Sequence, residues 1–235
     1  MREETPDVSS LEEKIGYHFR NRYLLMCALC HTSYANEQKT TGYEDYERLE
    51  FLGDAVLEMV SSAFLYKKYP EKHEGEMTKL RSSLVCEPAL AYCARDIDLE
   101  KYILLGKGEE SGGGRSKDSI VSDVMEAVIG AMYLDSGGVE EPTRYILKFI
   151  LSDLEGKLLF YDAKSNLQEA CQKSGHEVSY EIIAEEGPCH QRSYTASIRV
   201  DGREVRQGKG RSKKAAEQDG AYSVLLDLRA GKFCL

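Results

Sequence analysis

The sequence predicts two domains of different texture. An all-helical first domain spans residues 1–160, and after a short linker at 161–164 a smaller α-β-β-β-α domain spans 165–235. Three observations carry this division. Before residue 160 no stretch alternates apolar and polar residues as a strand does, and apolar residues recur at helical spacing instead. Ser193–Val200 does alternate, with Tyr194, Ala196, Ile198 and Val200 on one side, and Asp201-Gly202 follows it as a strong two-residue hairpin signal. Helices opened by Ser165 and Ser212, both capping residue types, frame the strands.

Taken in order, Leu11–Gly16 reads as a short helix closed by Gly16, and Asn21 caps a second through about Cys30. His31–Tyr43 is polar and reads as a loop. A long helix runs from about Tyr43 to Tyr69 and stops before Pro70. Glu71–Gly75 is a connection, with Glu74 near a new helix start, and Glu76–Val85 and Ala89–Asp96 are further helices. Gly106–Lys117 reads as a flexible loop, because it lacks both the GK[ST] of a Walker loop and the preceding strand of a GxGxxG site. Ile120–Ser136 and Glu140–Leu159 complete the first domain, with Pro142 in the first turn of the latter. The second domain reads as a helix to about Lys173, strands at Val178–Ala184, Ser193–Val200 and Arg203–Gly208, and a helix to about Leu228. Gly220 inside that last helix is expected to cost ~1 kcal/mol relative to Ala.

Composition narrows the class. The apolar fraction, 42%, is ordinary for a globular protein. The opening residues are polar, without the apolar core of a signal peptide, and no apolar run reaches the roughly 18 residues of a membrane span. A soluble, cytoplasmic protein is expected. The net charge of −9 is unevenly distributed: residues 162–235 carry 12 Lys+Arg against 11 Asp+Glu, and the remainder 19 against 29. Seven cysteines, odd in number and irregular in spacing, read as free and largely buried thiols. Cys27-Ala28-Leu29-Cys30-His31 matches the CxxCH pattern of haem attachment, but it lies at a helix end in a chain with no export signal, so no haem is expected.

The chemistry lies in two stretches. In Tyr46–Leu57, Glu47, Glu50 and Asp54 stand at i, i+3 and i+7, within a narrow arc of one helix face. Carboxylates in so apolar a helix must protonate, pair with basic groups or hold a cation. The bland alternative is the polar edge of a surface helix, neutralised by Arg48 and other cations, and from this stretch alone the two readings are evenly balanced. In Ile120–Ala131, Asp123 and Glu126 again share a face of an apolar helix. Two such stripes point to one acidic site between two helices. Hard oxygen donors without Cys or His suit Mg²⁺, with Mn²⁺ as a substitute, and hence metal-assisted phosphate-ester chemistry.

Glu47–Asp54, Glu74-Gly75-Glu76-Met77 and Asp123-Val124-Met125-Glu126, at their spacing, resemble the signature of the ribonuclease III family, endonucleases of double-stranded RNA. Tyr46 departs from the Asn that bacterial members often carry and lies just outside the acidic set. The resemblance implies an all-α endonuclease domain in which Glu50, Asp123 and Glu126 bind Mg²⁺ and Asp54 orients or deprotonates the attacking water, so that Asp54 and Glu126 are the catalytic pair. Glu47 and Glu74 would support RNA or metal contact. Glu58, one turn beyond the stripe, is expected to be solvated. Phe51 matches an aromatic that packs into the partner of a homodimer, although an ordinary core Phe would look the same.

The second domain resembles a double-stranded RNA-binding domain, with matches at Gln168 and Glu169, at the Gly187-Pro188-Cys189-His190 loop, and at Lys213 and Lys214. Lys213 and Lys214 sit in a first helical turn, where the dipole disfavours cations. Arg203–Lys214 holds six basic residues and one acid, which is either a solvated run or a phosphate-facing surface. By the resemblance, the first helix and the His190 loop enter successive minor grooves and the lysines span the phosphates between them. Glu217, where many such domains are basic, is a departure. The implied activity is hydrolysis of duplex RNA to 5′-phosphate and 3′-hydroxyl ends with short 3′ overhangs, in processing ribosomal RNA precursors and other structured RNAs. The alternative is a non-catalytic RNA-binding protein on the same fold, which would be expected to have lost metal ligands.

Overall fold

The computed structural model describes residues 7–152, 156, 159, 163–187, 192–210 and 212–234. Two compact units divide after Ser152. The first unit contains α1 (Ser9–Ile15), α2 (Arg22–Ala28), α3 (Thr32–Glu37), α4 (Glu47–Lys68), α5 (Glu74–Leu84), α6 (Glu87–Asp96), α7 (Lys107–Ser111), α8 (Asp118–Ser136) and α9 (Glu140–Tyr145). Among its described residues it has no β-strand, only one isolated bridge between Cys30 and Leu104.

Helix α8 is the axis of this unit. From Ile120 to Met132 every residue is buried except Asp123 and Glu126, which are half-buried. A helix apolar on nearly every side is stable only when neighbours cover it. Helices α2, α4 and α6 do so, and α4 makes the most extensive contact. Helix α4 buries Leu49, Gly53, Val56, Leu57 and Val60 and leaves its acidic edge open. At α1, Gly16 takes φ 75° and its N–H bonds the Glu12 carbonyl, the left-handed closure that glycine adopts without strain. The Asn21 side chain caps α2 by accepting the Tyr23 N–H (3.2 Å).

Three expectations need correction in this unit. His31–Tyr43 is not all loop, because His31 Nδ1 accepts the Ser33 N–H (3.1 Å) and opens α3. Gly106–Lys117 is not a free loop but forms α7 and a 3-10 turn at Gly114–Ser116. Lys117–Glu109 (2.6 Å) and Arg115–Glu110 (2.5 Å) ion pairs fold the segment on itself, and Glu37 accepts the Lys107 N–H (3.0 Å). The helix read as Glu140–Leu159 is α-helical over Glu140–Tyr145 and π-helical over Ile146–Ile150; it is interrupted at Leu151 and Ser152, and Gly156 and Leu159 are again helical.

In the second unit α10 (Ala163–Lys173) begins two residues before Ser165, which therefore lies inside the helix rather than capping it. Strands β1 (Val178–Glu186), β2 (Ser193–Val200) and β3 (Arg203–Gly210) form an antiparallel sheet in that order. Tyr180 pairs with Ile198, and Ala196 with Gly208. Asp201 (φ 49°) and Gly202 (φ 76°) both have positive φ, the requirement of a type I′ hairpin turn. Helix α11 (Lys213–Arg229) is capped by the Ser212 side chain, which accepts the Ala215 N–H (3.1 Å). Leu167, Cys171, Ala196, Ile198, Val224 and Leu225 form the core, and Leu159 belongs to it. Of the expected linker 161–164, residues 161 and 162 lie outside the described residues, and Ala163 and Lys164 belong to α10.

Gly220 is a packing requirement rather than a defect. A Cβ there would lie 1.9 Å from Ile198 Cδ1, and one at Gly208 would lie 2.2 Å from the Ala216 carbonyl oxygen. The two glycines let α11 cross β3 in backbone contact. Gly208→Ala is therefore expected to destabilise this unit by about 2–3 kcal/mol, since backbone cannot yield as a side chain does. Thermal melting checks this, and an unchanged transition would refute it.

Among the described residues no helix is long and apolar enough to cross a membrane. Cys27, Cys30, Cys93 and Cys171 are buried free thiols, Cys86 is intermediate and Cys234 exposed. Cys189 lies outside the described residues.

Candidate active site

The site begins with two glycines. A Cβ on Gly53 would stand 1.8 Å from the Glu126 carbonyl oxygen, and one on Gly130 2.2 Å from the Leu49 carbonyl oxygen. At this crossing α4 and α8 touch backbone to backbone. Glu50 and Asp54 flank Gly53 on α4, while Asp123 and Glu126 lie on the facing turns of α8, so the crossing brings the four carboxylates together. Helical spacing pairs the two stripes, but it does not reveal the glycine crossing that joins them. The available signal was a glycine inside an apolar helix, which costs about 1 kcal/mol against Ala and so needs a packing reason.

The electrostatics reflect this crowding. Burial, followed by the charges of Asp54, Glu50 and Asp123, pushes Glu126 from the usual carboxylate range up to about 8. Glu50 is raised by burial and by Asp123, Glu47 and Asp54. Asp123 is raised by burial, against a lowering by a hydrogen bond from Tyr46. Among the described residues no Lys or Arg pairs with any of the four. Their side chains are not drawn into a closed ion cage either. In donor chemistry the set nonetheless fits a hard divalent cation: carboxylate oxygens, mutually repelling and without a basic partner.

The other expected residues fall around this centre. Glu47 is exposed, with Oε1 accepting from Thr32 Oγ1 (2.9 Å), and its charge acts on Glu50. Glu74 is exposed at the start of α5 and accepts from Thr78 (2.9 Å). It lines a cleft of about 540 Å³ with Ser62, Tyr66 and Arg81. Glu58 is not simply solvated, since Arg81 pairs with it at 2.7 Å. Phe51 is 80% exposed on α4. Tyr46, set aside in the sequence reading, is buried, with its O–H 3.3 Å from Asp123 Oδ2.

In the second unit Lys213 and Lys214 are exposed at the first turn of α11, with no carboxylate partner among the described residues. Gln168 and Glu169 are exposed on α10. Glu217 is paired with Lys164 (2.5 Å), and Arg206 with Asp227 (2.5 Å). His190 and its neighbours Pro188 and Cys189 lie outside the described residues.

Comparison with known proteins matches both units. Residues 21–154 match a family described as ribonuclease-III-like, and residues 163–228 match the double-stranded RNA binding motif. The chain is 45% identical to Ribonuclease 3 of Pelotomaculum thermopropionicum over 95% of its own length and 94% of that protein's. It is 44% identical to Ribonuclease 3 of Bacillus licheniformis over 93% and 88%. A solved nuclease domain of ribonuclease III from Campylobacter jejuni covers 61% of this chain and 96% of its own, with 39% identity and a TM-score of 0.57. The protein is thus an endoribonuclease specific for double-stranded RNA. It belongs to the ribonuclease III family.

Proposed function

We propose that the chain hydrolyses phosphodiesters of duplex RNA at the face formed by Glu50, Asp54, Asp123 and Glu126, leaving 5′-phosphate and 3′-hydroxyl ends with short 3′ overhangs. The observation that carries this is the convergence of four carboxylates across a glycine crossing, with Glu126 raised to about 8 and no basic partner among the described residues. Glu50, Asp123 and Glu126 would hold Mg²⁺, or Mn²⁺ in its place. When bound, that ion supplies Lewis-acid polarisation of the phosphodiester and neutralises developing charge. Asp54, exposed at the mouth of the site, orients the attacking water and accepts its proton. Glu47 supports Glu50, and Glu74 contacts RNA from the α5 side. End-labelling of products from a long RNA duplex tests this reading. Ligatable 5′-phosphates and free 3′-hydroxyls are expected, and 2′,3′-cyclic ends would contradict it.

Substrate capture belongs to the second unit. The exposed Lys213 and Lys214, at a helix N-terminus, contact phosphates, while Gln168, Glu169 and His190 face the minor grooves. Replacing Lys213 and Lys214 together by Ala is expected to weaken duplex binding and lower the slope of log K against log salt by about 2. A filter-binding titration across salt concentrations reads both.

The enzyme acts as a homodimer. Phe51, Met59 and Tyr66 are 80%, 52% and 73% exposed, and they lie within about 80° of one another on α4. Large apolar side chains left open along one helix face mark a partner surface. One of the solved Campylobacter jejuni nuclease domains is described as having a region involved in dimer formation. Phe51→Ala is expected to halve the mass seen by light scattering, and an unchanged dimer mass would assign Phe51 no interface role. Structured precursors of ribosomal RNA and other folded transcripts are the substrates in this account, which places the enzyme in the cytoplasm.

A further inference from the structure

We propose that Tyr46 is a positioning residue for Asp123: its phenol O–H holds Oδ2 of Asp123 and fixes the carboxylate's orientation before any cation arrives. The inference rests on the proposed cation site and adds a residue to it.

The geometry is specific. Tyr46 is 4% exposed at the N-cap of α4, and its O–H lies 3.3 Å from Asp123 Oδ2 on α8. A buried tyrosine needs a partner for its O–H, and among the described residues Asp123 is that partner. The phenol is itself held in place. The Tyr46 N–H bonds the Cys30 carbonyl (2.9 Å), and the His31 ring lies against the Tyr46 ring with centroids 5.8 Å apart. His31 is fixed in turn, since its Nδ1 accepts the Ser33 N–H (3.1 Å) and meets Ser33 Oγ at 2.7 Å. Ser33 Oγ also accepts the Gly106 N–H (2.9 Å). A chain of contacts thus runs from the α7 segment through Ser33, His31 and Tyr46 to Asp123.

A donor behind a metal-binding carboxylate orients the ligand, and losing such a partner typically lowers metal affinity by about 10–100-fold. At 3.3 Å the contact is longer than the usual O–H···O bond of about 2.5–3.0 Å, so the lower figure, about tenfold, is expected. The competing view is that Tyr46 merely fills space.

The test is calorimetric titration of Mn²⁺ into the full chain without RNA, for wild type, Tyr46→Phe, Asp123→Ala and the double variant. Phe preserves the ring and removes only the O–H, and Ala leaves that O–H no acceptor at position 123. The expected result is an approximately tenfold weaker Mn²⁺ affinity in Tyr46→Phe, with no further loss when it is added to Asp123→Ala. In cleavage, Tyr46→Phe should raise the Mg²⁺ concentration for half-maximal rate and leave the saturated rate near wild type. Wild-type Mn²⁺ affinity in Tyr46→Phe, with weakened binding in Asp123→Ala, overturns the role of Tyr46 alone. A loss of the same size in both backgrounds assigns Tyr46 a structural role and also overturns it. Unchanged binding in Asp123→Ala removes the cation site itself, and this inference with it.

Discussion

Gly53→Ala is expected to lower stability by about 2–4 kcal/mol and to cut the cleavage rate by roughly a hundredfold or more even where the protein stays folded. On helix propensity alone the change should stabilise by about 1 kcal/mol. Packing reverses the sign. The added methyl would stand 1.8 Å from the Glu126 carbonyl oxygen and 2.6 Å from its carbon. Both are backbone atoms of a buried helix, so no rotamer change relieves the clash and α4 must move away from α8. Glu50 and Asp54 then move away from Asp123 and Glu126. Gly130→Ala should act alike from the other side, since its methyl would meet the Leu49 carbonyl oxygen at 2.2 Å. Single-turnover cleavage, measured well below the melting temperature of each variant, separates the geometric loss from unfolding. A wild-type rate with a wild-type melting temperature would show that the crossing does not position the site.

Glu126→Gln is expected to abolish Mg²⁺-dependent cleavage and, in the metal-free protein, to raise thermal stability. Glu126 titrates near 8 in the folded chain against about 4.5 when unfolded. Between those values the folded state holds a proton that the unfolded state has released, so stability falls as pH rises through the window. At pH 8 wild type bears most of this cost and the uncharged Gln does not. Allowing for the partial exposure of Glu126, the variant should be more stable by about 1–2 kcal/mol, a rise in melting temperature of roughly 2–6 °C. The difference should close as pH falls toward 5. Added Mg²⁺ should stabilise wild type and leave the variant nearly unmoved, because binding to the folded state alone shifts unfolding by mass action. Because Glu126 must lose its proton to bind a cation, cation affinity in wild type should tighten as pH rises toward 8. A variant that melts below wild type at pH 8 without cation would contradict this account.

Much of the organisation was legible because local signals and tertiary structure agree. Alternation in Ser193–Val200 and the φ > 0 demand at Asp201-Gly202 specify a hairpin without outside help, and both appear as read. The two acidic stripes were legible because helical spacing places Asp123 with Glu126, and Glu50 with Asp54, on common faces. What escaped depends on partners distant in sequence. Gly106–Lys117 looks like a linker in composition, yet Glu37, about 70 residues earlier, helps to order it. Gly53, Gly130 and Gly208 show their purpose only when the opposing backbone is in view, and Gly220 only when the Ile198 side chain is. Tyr46 looked peripheral because its position lies outside the acidic spacing, while its phenol reaches Asp123, 77 residues away. Glu58 looked solvated until Arg81 came to it from α5.

The most direct test of the central claim is cleavage of a long RNA duplex by wild type and Glu126→Gln, with and without Mg²⁺, alongside a gel-shift assay of the same samples. Wild type is expected to cut only with Mg²⁺, and Glu126→Gln to retard the duplex as wild type does but leave it uncut. Cleavage by Glu126→Gln at the wild-type rate, or by wild type in a chelator, would contradict the assignment of the Gly53–Gly130 crossing as the cation-dependent active site.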